Sequence, residues 1–250
     1  IRDYYASRGL GDVYKRQRHH FAHVSNYECM YASEVAIYKA FAEALKQSGF
    51  LTLPPVMLRF PAWHDPELLQ EARRLKIDSV AFECEPLSYP PLLRVTMQGT
   101  PLRILLDFDR YYDDDDRVEL AEEAKAEDYS LLLISMPKIE QDTEFTPDRL
   151  QSVLQDNDRT EWVFSRLEEQ WKQKYYAVAV SPPEHGTGNL CPISFGKYKG
   201  KYSDRWIDCA HCHFNVAQPP CCLCIAGAGI QKKEDFKRDL QDRLFDIDKI

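Results

Sequence analysis

Between residues 30 and 48 the apolar side chains Val35, Tyr38, Phe41, Ala42 and Leu45 recur at helical spacing, with Ser33 placed as a cap and Gly49 as a stop. The spacing predicts a first long helix. After TLPPVML, which reads as a Pro-rich connection, the runs KIDSVAFECE, LLRVTMQ and PLRILLDFD are rich in Val, Ile and Leu and predict three strands, with Gln98-Gly99 as the turn between the second and third. DDDDRVELAEEAKAE predicts a helix whose acidic start suits the positive end of its dipole, and YSLLLISMP predicts a buried strand. The predicted core, residues 30–140, therefore runs helix, three strands, helix, strand.

From Phe145 to Tyr176 the pattern reads as helical, with Leu150, Val153 and Leu154 in one segment and Trp162, Phe164, Leu167 and Trp171 in the next. These predict packing helices over 141–180. The stretch SPPEHGTGNLCP then breaks the period and sets a boundary near residue 181. A cysteine-rich module follows to residue 230, and EDFKRDLQDRLFDI predicts a terminal helix over 231–250.

A chain of 250 residues has room for one substantial core and a smaller module. No window approaches the ~20 apolar residues needed to cross a bilayer, so no membrane partner is expected. Ile1 to Gln17 lacks the apolar run of a secretory signal, and Ser7 to Gln17 matches residue for residue the translation of a sequencing-library adapter. Residues 1–17 are accordingly expected to be an assembly artefact, with natural sequence starting near Arg18. Setting them aside removes four basic and two acidic residues from a chain of formal charge −8, leaving it more acidic. Nucleic-acid contact over the whole surface is excluded, and any such contact requires a local basic patch.

The eight cysteines are concentrated late in the chain, five between Cys209 and Cys224 and one at Cys191. Such clustering suits a metal site in a reducing cytoplasm rather than a dispersed disulfide framework. Cys191, Cys209, Cys212 and Cys224 can place four thiolates around Zn²⁺, the Cys-x-x-Cys pair reaching the ion from one turn. Cys222 and Cys221 compete with Cys224 for the fourth place, and His211 and His213 could substitute. Redox thiols or buried free thiols are the alternative. Between the cysteine arms lies FGKYKGKYSDRW, where Lys197, Lys199, Lys201 and Arg205 alternate with aromatics that include Tyr198, Tyr202 and Trp206. Cations can pair with phosphates while aromatics stack on bases, so DNA or RNA is the expected partner; a surface strand packed on the module is the alternative.

The run RHHFAHVSNYECMYASEVAIYKAFAEAL, with the strand order after it, resembles the opening of the competence protein CoiA-like family, whose core is similar to the PD-(D/E)XK nucleases. The resemblance implies an α/β, restriction-endonuclease-like core with a small C-terminal zinc-binding module. In that family a Cys-x-x-Cys pair precedes the HHFAH-like stretch, and a helix bearing Glu, His and Lys follows it. Here His20, His23, Cys29, Glu34 and Lys39 are present, Tyr38 stands where the His is expected, and the upstream cysteines are absent. His23 and Cys29 within residues 18–29 then read as the remnant of a second zinc site.

Nucleases of this kind hold Mg²⁺ between carboxylates on the second and third strands. The positions implied by the resemblance are Leu92 and Leu105, so the expectation is a nucleic-acid-associated protein with a degenerate, inactive core. Strand periodicity places Arg103, Leu105, Asp107 and Asp109 on one face, with Asp107 about 7 Å along from the family position. The alternative is therefore a Mg²⁺-dependent nuclease with migrated carboxylates, using Glu34, Lys39, Glu83, Asp107 and Asp109. Against it, Asp107 and Asp109 read as solvated strand-end residues, and Asp113 to Asp116 as a solvated helix start. A third reading is a protein-interaction module in which the zinc is purely structural.

Overall fold

The computed structural model of the chain describes residues 26–83, 91–108, 112–136, 146–192 and 202–227. Helix α1 (Asn26–Ser48) buries Ile37, Tyr38, Phe41, Ala42, Ala44 and Leu45 along one stripe. It ends at Gly49, whose φ of +65° is cheap only for glycine, and Gly49 N donates to Leu45 O at 2.9 Å. Because the helix begins at Asn26, Ser33 lies inside it and is not its cap.

The segment expected as a Pro-rich connection is instead a bent two-stranded ribbon. Its outer pair is β1 (Phe50–Leu53) with β4 (Arg73–Lys76), and its inner pair is β2 (Val56–Leu58) with β3 (Glu67–Gln70). The ladder stops after Leu53↔Arg73 and resumes at Val56↔Gln70. Pro54 and Pro55 fall in that gap, where neither has an N–H to donate.

A five-stranded sheet follows in the order β5 (Ser79–Glu83), β6 (Leu92–Met97), β7 (Thr100–Asp107), β8 (Ser130–Ser135), β9 (Thr160–Phe164). Its pairs are antiparallel except β7–β8, which are parallel and are joined through α2 (Asp114–Ala126). The chain is thus mixed α/β, with α1 leading into the three expected strands, a helix and a buried strand. α3 (Pro147–Gln155) confirms the first packing segment. The second segment divides: Trp162 and Phe164 belong to β9, and only from Arg166 does the chain turn into α4 (Arg166–Val178). Ser165 makes the switch, its hydroxyl accepting from Glu168 N at 3.4 Å as a helix cap.

Alternation along β7 divides the core in two. Leu102, Ile104 and Leu106 join the α1 and α3 side, with Phe41, Leu45, Leu132, Ile134 and Leu150. Leu105 joins Ala124, Leu131 and Leu133 on the α2 side. Burying a Leu of this kind stabilises by about 1.5–3 kcal/mol. α2 is fixed at its start by Asp113, whose Oδ1 accepts from Asp115 N and Asp116 N while Asp116 accepts from Asp113 N. The acidic run therefore caps a helix.

At the other end of α2, Arg103 donates to Glu123 and Glu127 and lies 3.7 Å over the ring of Tyr129. Burial first, then the Glu123 carboxylate, pushes the Tyr129 phenol up to about 12, with Arg103 pulling the other way. The folded chain then keeps a proton that the unfolded chain gives up near pH 10, so stability falls as pH rises from about 10 to about 12. Tyr129→Phe is expected to flatten that alkaline loss in denaturant titrations. An unchanged alkaline slope would refute the assignment.

Candidate functional site

Glu34 and Tyr38 sit one turn apart on α1, above the end of β7. Tyr38 is fully buried, and its hydroxyl accepts from Leu106 N at 2.8 Å and faces Leu106 O at 3.4 Å, pinning helix to strand. Glu34 is 2% exposed and Asp107 7%. The expectation of a solvated strand-end Asp107 is therefore wrong. Met136 N donates to the Asp107 carbonyl at 2.7 Å, and the parallel pairing with β8 holds this residue in the layer. Both carboxylates act on Tyr112, whose phenol is pushed far up, chiefly by burial and then by Tyr38, Asp107 and Glu34. Sequence reasoning missed Tyr112, which lies outside any periodic run.

Lys39 is exposed, and its Nζ stands 5.8 Å over the Phe82 ring, directed at an aromatic face. Leu92 and Leu105 pack in the same apolar cluster under α2. The two positions that the sequence resemblance assigns to carboxylates are thus occupied by hydrocarbon. Glu83 and Cys29 are placed by their backbone alone, in β5 and α1. His20, His23 and Asp109 lie outside the described residues, as do Glu85 and the proposed terminal helix over 231–250.

The cysteine module rests on β2 and α4 through Leu58, Phe60, Val216 and Ile225, with Trp171, Tyr175 and Phe214 around them. Its frame is a three-stranded sheet of β10 (Glu184–His185), β11 (Gly188–Leu190) and β12 (Tyr202–Asp204). A two-way backbone bridge, Val180 N to Cys224 O at 3.1 Å and Cys224 N to Val180 O at 2.8 Å, closes the module against the end of α4. Gly227 fits there for want of a side chain, since a Cβ would stand 2.2 Å from Val180 Cγ2.

Cys191, Cys209, Cys212, Cys222 and Cys224 line one cavity of about 80 Å³. Cys221 is exposed and is not among its lining residues, which removes it as the fourth ligand. His211 and His213 also turn elsewhere, His211 stacking on His64 at 4.9 Å and His213 on Trp63 at 4.2 Å. Among the described residues no group of three or more His, Cys, Asp or Glu side chains forms a set that could hold a metal ion. The donor set is nonetheless soft and sulfur-rich, the chemistry that suits Zn²⁺.

The thiols differ in environment. Burial raises the Cys209 pKa, opposed by hydrogen bonds from the Asn189 amide, at 3.7 Å, and from the Cys222 thiol. Burial pushes Cys224 up to about 11, opposed by the backbone N–H groups of Ala226 and Gly227, which donate to its sulfur. Cys222 is raised most strongly, by burial and by its thiol neighbours.

Asn215, 1% exposed, holds the two cysteine arms together. Its Nδ2 donates to Cys209 O and Cys221 O, both at 3.1 Å, and its Oδ1 accepts from Ala217 N at 3.1 Å and Leu223 N at 3.0 Å. All four amide hydrogen-bonding positions are thereby used. The sequence signal for it was an Asn lying between two cysteine arms in a Pro-rich stretch.

Beyond β12 the chain turns sharply. Asp204 Oδ1 accepts from Trp206 N at 2.8 Å and Ile207 N at 3.0 Å, and Asp208 Oδ2 accepts from Asp204 N at 2.8 Å. This fixed turn presents Trp206 at 63% exposure with Ile207 beside it. Arg205 is engaged, pairing with Glu184 at 3.0 Å and donating to Gly186 O at 2.9 Å, so it braces the turn instead of offering an open cation. Lys197, Tyr198, Lys199 and Lys201 lie outside the described residues, and Tyr202 is placed by its backbone in β12.

No family model, curated protein or solved structure matches the chain. No helix among the described residues is long and apolar enough to cross a membrane.

Proposed function

We propose that this chain is a nucleic-acid-associated protein, similar to the CoiA-like family, with a restriction-endonuclease-like core that no longer cuts and a zinc-stapled module that carries the binding surface. The observation that carries the reading is Trp206, a large aromatic side chain held out to solvent by a hydrogen-bonded turn. In sequence it lies five residues beyond Lys201, the last lysine of the Lys197–Lys201 run. An exposed aromatic next to phosphate-pairing cations is the arrangement used to bind single strands without base readout. Cys191, Cys209, Cys212 and Cys224 would hold the zinc, with Cys222 as a neighbouring thiol. The metal would supply a fixed tetrahedral junction. Loss of catalysis is supported by the apolar packing of Leu92 and Leu105.

Trp206→Ala is expected to weaken binding of single-stranded DNA or RNA by roughly tenfold, from about 1–3 kcal/mol of stacking per base. Neutralising Lys197, Lys199 and Lys201 should also lower the salt dependence of binding. Binding unchanged by both variants, or no binding by the intact chain, overturns the proposal.

A second reading, residual metal-dependent cleavage, draws on the buried Glu34 and Asp107 beside Tyr112. Mg²⁺- or Mn²⁺-dependent cutting that disappears in Asp107→Ala would favour it.

A further inference from the structure

The end of the sheet where β7 begins, opposite the end carrying Asp107, is hollow. A cavity of about 340 Å³ opens between the ribbon, the β6–β7 turn, the start of β8 and the first turn of α4. That volume falls in the usual range of small-ligand pockets, about 300–1,000 Å³. Leu53, Val56, Leu102 and Trp162 supply apolar wall, and Gln70, Gln98 and Gln170 supply amides. Such a mixture of apolar wall and few polar groups is what orients a small organic ligand.

The charge in this cavity has one sign. Arg73 and Arg166 line it, and no Asp or Glu does, in a chain of net charge −8. Arg73, exposed on β4, makes no ion pair among the described residues. Arg166 meets Asp128 with two prongs of its fork, Nη2 to Oδ2 and Nε to Oδ1, each at 2.9 Å; that carboxylate is largely exposed, so water screens the pair, and Nη1 is the prong left for a ligand. The positive end of α4 adds to the field at Ser165 and Leu167. At the rim Gln98 (φ +51°) and Gly99 (φ +75°) make the two-residue turn between β6 and β7, and Gly99 N donates to Asp78 Oδ2 at 3.0 Å.

The geometry points to a binding site for a small organic phosphate of mononucleotide size, its phosphate paired with Arg73 and Arg166 and its ring laid against Trp162. Two guanidinium groups and a helix start together suit a dianion better than a carboxylate. The Trp162 N–H donates to Pro54 O at 3.2 Å and its ring packs partly on the core, so the part of the ring lining the cavity is what a ligand could meet. The site is separate from the cysteine module and independent of the nucleic-acid reading.

Calorimetric titration of the full chain with AMP, GMP, CMP, UMP and inorganic phosphate tests it. At least one mononucleotide is expected to bind more tightly than inorganic phosphate, and Arg73→Gln to weaken that binding by roughly tenfold or more, the worth of a charge-assisted hydrogen bond. Arg73 has no described partner to lose, so the variant keeps its fold. Arg166→Lys retains a cation for Asp128 while losing the fork, and should weaken binding too. Trp206→Ala should leave the affinity unchanged. Absence of mononucleotide binding at millimolar concentration overturns the proposal, as does affinity unaltered in Arg73→Gln. Inorganic phosphate binding as tightly as the nucleotides overturns the ring contact. Loss in Trp206→Ala assigns the binding to the exposed turn and likewise overturns it.

Discussion

If the cysteine module holds zinc as proposed, Cys209→Ser is expected to abolish its retention and to open the described part of residues 181–227 to protease, while Cys221→Ser leaves both unchanged. Cys209 is buried, receives the Asn189 amide, and lies on the arm that Asn215 ties to its partner arm. Structural zinc contributes about 10–16 kcal/mol of apparent binding energy in small modules. The apolar support of this module is modest by comparison, resting on Val216, Ile225 and their contacts with Leu58 and Phe60. Loss of the ion therefore outweighs what packing alone can hold. Cys224→Ser should act like Cys209→Ser, because the Ala226 and Gly227 N–H groups already favour a thiolate there. Cys222→Ser should cost less, since that thiol donates to Cys209. Burial raises Cys209 and Cys224, so the proposed zinc would have to displace their protons and its retention should weaken as pH falls. Metal-to-protein ratios and limited digestion read these outcomes. A metal-free wild-type chain with a protease-resistant module, or a Cys209→Ser chain that keeps its zinc, would sink the assignment.

The other large effect is expected at Leu105. Replacing it by Glu, the residue the nuclease pattern asks for, places a carboxylate at a position 1% exposed among Ala124, Leu131 and Leu133. Truncation to Ala alone costs about 2–5 kcal/mol in such a core. The Glu adds the cost of desolvating a charge among hydrocarbon side chains, with Arg103 already engaged by Glu123 and Glu127, so it should be the more damaging variant. Denaturant unfolding of Leu105→Ala and Leu105→Glu measures both, with nuclease assays on the same samples. A stable Leu105→Glu chain that cuts nucleic acid with Mg²⁺ would show that one restored carboxylate suffices although Leu92 remains apolar. A stable chain that does not cut would contradict the tight packing.

Periodicity made the main layers legible, because α1 puts one apolar stripe into a single core while the continuous apolar runs of β7 and β8 mark central strands covered on both faces. The ribbon of β1–β4 escaped because its strands are three or four residues long and β3 and β4 are mostly exposed. Such short strands have no room to alternate, and Pro54-Pro55 reads as a break. β9 escaped for another reason: Trp162 and Phe164 repeat at two, but Leu167 and Trp171 follow at four, and the joined string imitates a helix. Ser165 with Glu168 three residues later was the usable sign of the junction. At the candidate site, cysteine spacing located the cavity, while only three dimensions removed Cys221 and turned His211 and His213 onto aromatic rings. Asp107 looked solvated because a strand end is ordinarily wet; here the parallel partner and α1 close over it.

The bridge between Val180 and Cys224 has a kinetic corollary. Most pairs in the large sheet join neighbours in the chain, and such local contacts form early. The bridge must instead close a long loop onto the end of α4, an arrangement with nothing to rest on until that helix has docked. The cysteine arms should therefore be the last part of the described chain to order. Pulse-labelled hydrogen exchange during refolding would see the amides of Val180, Asn215 and Cys224 protected after those of β7 and β8, and a chelator added at the start should delay only that late phase.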